Sequence, residues 1–204
     1  MAETAPTLPL HDATPCERAD AARNRALLLD AARQIVAREG VQGLTMQAVA
    51  DAAGVGKGTV FRRFEDRAGL LHALVDDDEV AFQENLLRGP APLGPGSPPA
   101  ERLSAFGVAR IAFVLRHGEV LRAAERSECG SVEHPVRTAH RMHLQVLLRD
   151  AGHDEATATY MSGALISALE PKVILGQIER EGLDPEQLED GWRTLVAAAA
   201  SVAA

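Results

Sequence analysis

The chain has 204 residues, 46% hydrophobic and 25% charged, with a formal net charge of −8, which suits one large or two small globular domains with a sizeable core. Aromatics are only 3% of it, and apolar residues recur at three-four spacing, which argues against a sheet and for an all-helical (all-α) fold. No stretch is long and apolar enough to span a membrane. The opening MAETAPTLPLHDATPCE lacks the basic start and apolar run of a secretory signal, and Cys16 and Cys129 have no metal-type spacing. These features predict a reduced, cytoplasmic protein with no membrane contact, no metal and no cofactor.

Residues 1 to 18 hold prolines, threonines and acids without periodicity and are expected to form a disordered tail. Arg18, Arg23 and Arg25 follow, so this arm either touches a polyanion or is simply solvated. From Arg23 to Gly40 the apolar residues Leu28, Ala32, Ile35 and Val36 share one helical face. Two short helices come next, Thr45 to Ala53 and Lys57 to Phe64, around Gly54-Val55-Gly56. Thr45 is a natural N-cap, and Leu44 with Val49 fits a hydrophobic staple. Gly54 can end the first helix in the left-handed conformation, while Val55 turns inward as a plug. In the second helix Val60 and Phe64 share a face, leaving Lys57, Thr59, Arg62 and Arg63 to project elsewhere. Gly56 and Gly58 in its first turn each cost up to about 1 kcal/mol relative to alanine. A surface that must approach another backbone closely explains keeping them. The layout is that of a helix-turn-helix; the alternative is an ordinary helical core with a tight turn.

Charge follows the same division. Residues 23 to 75 carry eight Lys/Arg against five Asp/Glu, a local +3 inside an acidic chain, which is the footprint expected of phosphate contact.

A further helix is expected from Arg67 into the eighties, with Asp66 as its cap, Leu70, Leu71, Leu74 and Val75 buried, and Asp76-Asp77-Asp78-Glu79 as a solvated mid-helix face. RGPAPLGPGSPPAE, residues 88 to 101, reads as a joining loop. Pro99 to Arg116 is apolar on nearly all sides, as in a mid-bundle helix; Gly118 is expected to interrupt it ahead of a short helix, Glu119 to Arg126. Pro135 to Ala151 places Val136, Ala139, His143, Val146 and Leu147 inward. Asp154 caps a helix reaching Arg180, bent at Pro171, and the last helix starts at Pro185. The total is about nine helices. The expected organisation is a tail over 1–18, a helix-turn-helix domain over 19–66 and a helical effector-binding and dimerisation domain over 67–204.

The run LLLDAARQIVAREGVQGLTMQAVADAAGVGKGTVFRRFEDRAGLLHAL resembles the N-terminal domain of the tetracycline-repressor (TetR) family of transcriptional regulators, with caps, glycines and apolar positions in register. The resemblance implies that the first three helices bind double-stranded DNA, that a helical C-terminal domain binds a small-molecule effector, and that the last two helices pair with a second subunit. Position by position it makes Thr45 and Thr59 phosphate contacts. Gln47 and Lys57 would reach base edges or phosphates, and Arg67 a phosphate, with Gly56 and Gly58 at the DNA surface. Phe61 stands where the family commonly has a phosphate-binding tyrosine. Arg62 and Arg63 replace a neutral residue and a histidine, and either can read guanine bidentately.

The last two helices fit the pairing role. Gly163, Ala164 and Ser167 give a small-residue surface, and Trp192, Leu195 and Val196 an apolar one, so a C2 homodimer on a palindromic operator is expected. Effector candidates are polar oddities in apolar settings. Arg110 lies on a stripe with Phe106, Phe113 and His117, and a buried guanidinium needs a partner: either Glu170 or a ligand anion. Met142, His143 and Tyr160 are further pocket candidates. The leading function is a ligand-released repressor. An adaptor or activator working through a protein partner is the alternative, and no motif of an enzyme is present.

Overall fold

The computed structural model describes residues 15–127 and 135–200 of the chain. Ten helices and no strand occur among the described residues, one helix more than the sequence spacing suggests. The chain divides into two compact units, one up to Asp66 and one from Arg67 onward.

The first unit holds α1 (Pro15–Gly43), α2 (Met46–Ala53) and α3 (Lys57–Phe64). Helix α1 starts eight residues ahead of the expected Arg23, within the segment expected to be a tail; residues 1–14 lie outside the described part. It kinks at Gly40, whose φ of 69° is left-handed and would strain any residue with a Cβ. Leu28, Ala32 and Ile35 of α1 are buried with Leu44, Val49, Val60 and Phe64, so one apolar stripe per helix closes a three-helix core.

The second unit is built around α6 (Pro99–Ser127), which packs against α4 (Arg67–Ala73), α7 (Pro135–Asp150), α9 (Pro171–Glu181) and α10 (Pro185–Ala200). Helix α8 (Glu155–Ala168) lies along α7, with Gln145 bonded to both Glu155 and Thr159. Leu103, Phe106, Ile111 and Val114 of α6 are buried with Leu144, Leu147, Leu165, Ile174 and Trp192.

Four expectations are corrected here. Gly118 does not break α6, which runs through it; a Cβ there would stand 2.9 and 3.0 Å from the Leu175 methyls, so this glycine admits α9. The helix expected from Arg67 into the eighties is two, α4 and α5 (Asp76–Arg88), separated at Leu74 and Val75, whose N–H groups bond three residues back to Leu71 and His72. The four acids thus form the first turn of α5, where the helix dipole favours negative charge, and Glu79 is buried. The helix expected to bend at Pro171 is interrupted instead: Leu169 closes α8, and Pro171 opens α9, where its missing N–H costs nothing. On α7 the inward set is His140, Leu144, Leu147 and Leu148, a stripe rotated from the expected one, which leaves Ala139 and Val146 exposed.

Trp192 and Val196 are also corrected. Both are buried within the chain, and the indole N–H donates to the carbonyls of Leu103 and Ser104 at 3.1 Å. A Cβ at Gly107 would collide with the indole ring, so that glycine seats it. Trp192 and Val196 therefore close the chain's own core, while Leu195 of the same stripe stays 44% exposed.

Candidate nucleic-acid interface and polar core

Helix α3 presents two faces. Val60 is 0% and Phe64 6% exposed, whereas Lys57, Gly58, Phe61, Arg62 and Arg63 are exposed and Thr59 is half-buried. The turn that sets its angle forms as expected. Thr45 Oγ1 accepts from the Ala48 N–H at 3.0 Å, Gly54 is left-handed with φ 67°, and the half-buried Val55 donates its N–H to the Ala50 carbonyl. The Thr45 hydroxyl keeps its own hydrogen for an outside acceptor. Gln47 is exposed and donates to Asp51 at 2.8 Å, a local bond that restrains its amide. Lys57 Nζ lies 5.5 Å from the centroid of the Phe61 ring, a cation–π pair that holds both side chains at the solvent edge.

Gly56 serves as the N-cap of α3 with no side-chain bond. Neither it nor Gly58 has any atom within 4 Å of where a Cβ would stand, and neither has a positive φ. Nothing among the described residues therefore requires glycine at these positions. Arg63 differs from its neighbour: its Nη2 donates to the carbonyl of Ala21 at 2.9 Å, a bond no local sequence pattern announces. Arg67 opens α4 in the second unit and is half-buried.

The second unit contains a buried polar cluster that spans α5, α6 and α7. Glu79 is 6% exposed, Arg110 8% and His140 1%. The Glu79 carboxylate lies 3.3 Å from Arg110 Nη1 and 2.9 Å from His140 Nε2, and it accepts from Gln83 Nε2 at 2.9 Å. Burial alone would raise its pKa, but the hydrogen bond and charge of His140, together with Gln83 and Arg110, outweigh it and hold the carboxyl below its ordinary value. Three rings surround the cluster. Arg110 lies 4.9 Å from the Phe113 ring, while Phe82 and Phe106 contact His140 edge-on at 5.3 and 5.5 Å.

Of the two partners the sequence left open for Arg110, Glu170 or a ligand anion, neither is Glu79, the carboxylate found beside it. Glu170 pairs with Arg137 at 3.1 Å and Lys172 at 2.8 Å. Glu79 was discoverable, because Val75, Glu79, Phe82 and Leu86 form one stripe at helical spacing, with a carboxylate inside it. The His117 ring lies against Phe113, centroids 4.7 Å apart and planes tilted by 51°, and faces Asp78 at 2.9 Å; burial, opposed by Asp78, lowers its pKa. His143 lies 5.8 Å from the Phe106 ring, and burial, with the nearby charges of Arg102 and His140, pushes its pKa down to about 4. Phe106, Arg110, Phe113, His117 and His143 thus converge, whereas Met142 and Tyr160 do not. At 59% and 80% exposed these two face outward on α7 and α8, because the inward stripes of both helices pass beside them.

Gly163 and Ser167 are half-buried and Ala164 is exposed on α8. Leu195 lines, with Ile111, Leu169, Ile174, Leu188 and Trp192, a groove of about 220 Å³. Among the described residues no group of three or more His, Cys, Asp or Glu is placed to hold a metal, and no helix is long and apolar enough to cross a membrane.

Comparison with known proteins bears on both units. Residues 28–74 match the family described as bacterial regulatory proteins, tetR family. An HTH-type transcriptional regulator of Staphylococcus aureus strain USA300 is 33% identical over 65 residues, which are 32% of this chain and 35% of the relative. The match thus spans about a third of such curated relatives. A tetR-family transcriptional regulator from Streptomyces coelicolor shares the fold with a TM-score of 0.62 at 20% identity, over 89% of this chain and 82% of that one. The structure described as a SmeT–triclosan complex has a TM-score of 0.57 at 20% identity, over 87% and 91%.

Proposed function

The chain belongs to the tetR family of bacterial regulatory proteins, and from that premise we propose that it is a cytoplasmic, sequence-specific transcriptional repressor. In this reading a homodimer holds a palindromic operator and a small molecule releases it. The observation that carries the DNA-binding part is α3: an eight-residue helix anchored by Val60 and Phe64 that turns Lys57, Phe61, Arg62 and two unencumbered glycines outward. Thr45, Gln47, Thr59 and Arg67 supply further phosphate or base-edge contacts.

Dimerisation is supported by the outward stripe of α8, Ala156, Tyr160, Gly163 and Ala164, beside exposed Met142 and Val146 on α7. A second copy related by a two-fold axis would cover these apolar groups, and a palindromic operator offers such a dimer two half-sites about 34 to 36 Å apart. Effector binding is supported by the Phe106, Arg110, Phe113, His117 and His143 cluster and by the neighbour bound to triclosan. A ligand releases DNA only if it binds the two states of the dimer with different affinity.

The test is selection of binding sites from randomised and genomic DNA by the purified protein at two salt concentrations. A palindromic motif is the expected result. Binding without a motif that vanishes at moderate salt would mean phosphate contact alone. The second reading, an adaptor or activator acting through a protein partner, draws on the same exposed Met142, Val146 and Tyr160. It gains if the protein sediments as a monomer on its DNA.

A further inference from the structure

Arg62 and Arg63 are adjacent on α3, yet they are in different situations. Arg62 is exposed and makes no hydrogen bond or ion pair with the described residues. Arg63 reaches back 42 residues to donate to the Ala21 carbonyl at 2.9 Å. Ala21 lies in the part of α1 that the core does not hold. From Asp20 to Leu27 no side chain is buried, and burial begins at Leu28 among the residues whose side chains are described. The bond from a cationic donor therefore ties to α3 a stretch, residues 20–27, in which no side chain is buried. Arg23, 75% exposed and 3.5 Å from Asp20, lies on those turns.

We infer that Arg63 is a positioning residue that holds the N-terminal turns of α1 beside the recognition helix, making them a second phosphate-contacting strip of the DNA interface, while base reading falls to Arg62. The inference rests on the DNA-binding reading above. A helix end held only by its own backbone would fray and swing Arg23 through many positions. Tied at Ala21, it presents that charge from a fixed place, and the phosphates it meets are those flanking the bases read by α3.

The experiment compares Arg63→Ala, Arg63→Lys, Arg62→Ala, Arg23→Ala and the double variant Arg63→Ala/Arg23→Ala in the full chain, on the selected operator and all its single-base variants. Arg63→Ala is expected to weaken binding about three- to tenfold, the scale of one hydrogen bond, equally on every variant, with most of the loss recovered by Arg63→Lys. Arg62→Ala should flatten preference at one base pair of each half-site. The double variant should bind no worse than the weaker single variant, because both act on the same strip.

Hydrogen exchange of the free protein supplies an arm that needs no DNA: amides of residues 19–24, the first with acceptors inside the helix, should exchange faster in Arg63→Ala, with melting of the rest unchanged. The inference is overturned if Arg63→Ala changes which base is preferred, if its cost adds to that of Arg23→Ala, or if exchange over 19–24 does not move. A wild-type protein that selects no motif would sink the DNA-binding reading, while the exchange result would still decide whether the tie exists.

Discussion

Replacing Gly58 with alanine separates what the chain needs for folding from what its DNA-facing surface needs. The residue is in the first turn of α3, exposed, at ordinary φ, with no atom within 4 Å of where a Cβ would stand. Nothing among the described residues opposes a methyl group there. Alanine should therefore stabilise the first unit by about 0.5 to 1 kcal/mol through helix propensity and a less flexible unfolded chain. For a domain of that size the gain is a rise in Tm of roughly 2 to 8 °C. If the first turn of α3 lies against the DNA backbone, the same methyl group occupies the space that contact needs, and operator affinity should fall about tenfold or more. Thermal unfolding by circular dichroism and titration of labelled operator read the two effects on one sample. The reasoning is refuted if alanine lowers Tm, which would mean an unseen intrachain role. It is refuted equally if affinity is unchanged, because the glycine would then have no reason to persist.

Three further outcomes are expected. Glu79→Ala should destabilise the protein by about 3 to 5 kcal/mol in urea unfolding, because Arg110 and His140 would stay buried without their shared carboxylate; an intact midpoint would show that the cluster is not held by this acid. Gly107→Ala should destabilise by about 1 to 3 kcal/mol by driving Cβ into the Trp192 indole, and the emission of that sole tryptophan should shift with it. Stability should also fall as pH drops from 6.5 towards 4. The folded protein holds His143 down to about 4, so below pH 6.5 the unfolded chain binds the extra proton and gains. After discounting for its partial exposure the loss is about 1 to 2 kcal/mol. His143→Leu should remove most of that slope. The part due to Glu79, whose pKa is also lowered, appears only at more acid pH, as its carboxylate is protonated.

The exposed half of the protein's chemistry was legible in its residues. Caps and turns are local. Thr45, Gly54 and the spacing of Val60 and Phe64 depend on neighbours within a few positions, so their roles can be read from order alone, and the structure places each as expected. Asp154 behaves the same way, accepting from the Thr157 N–H and hydroxyl at 2.9 and 2.8 Å. One glycine inside a long helix departs from its expected role for a related reason. Gly118 carries no sign in its flanking sequence of whether it ends a helix or admits a neighbour, because the answer is a leucine 57 residues away.

What the sequence determined by itself is the all-helical class, the helix-turn-helix and its polar outward face, because periodicity, capping and propensity act over single turns. Tertiary structure alone decided which buried groups meet. Arg110 had to find an anion, and the sequence held several; the packing of α5 on α6 and α7 selected Glu79 and left Glu170 to Arg137. It also decided that Trp192 closes the core and that Arg63 reaches Ala21. A buried charge or indole takes whichever partner the assembled helices bring within hydrogen-bond reach, and that distance exists only once the chain has folded.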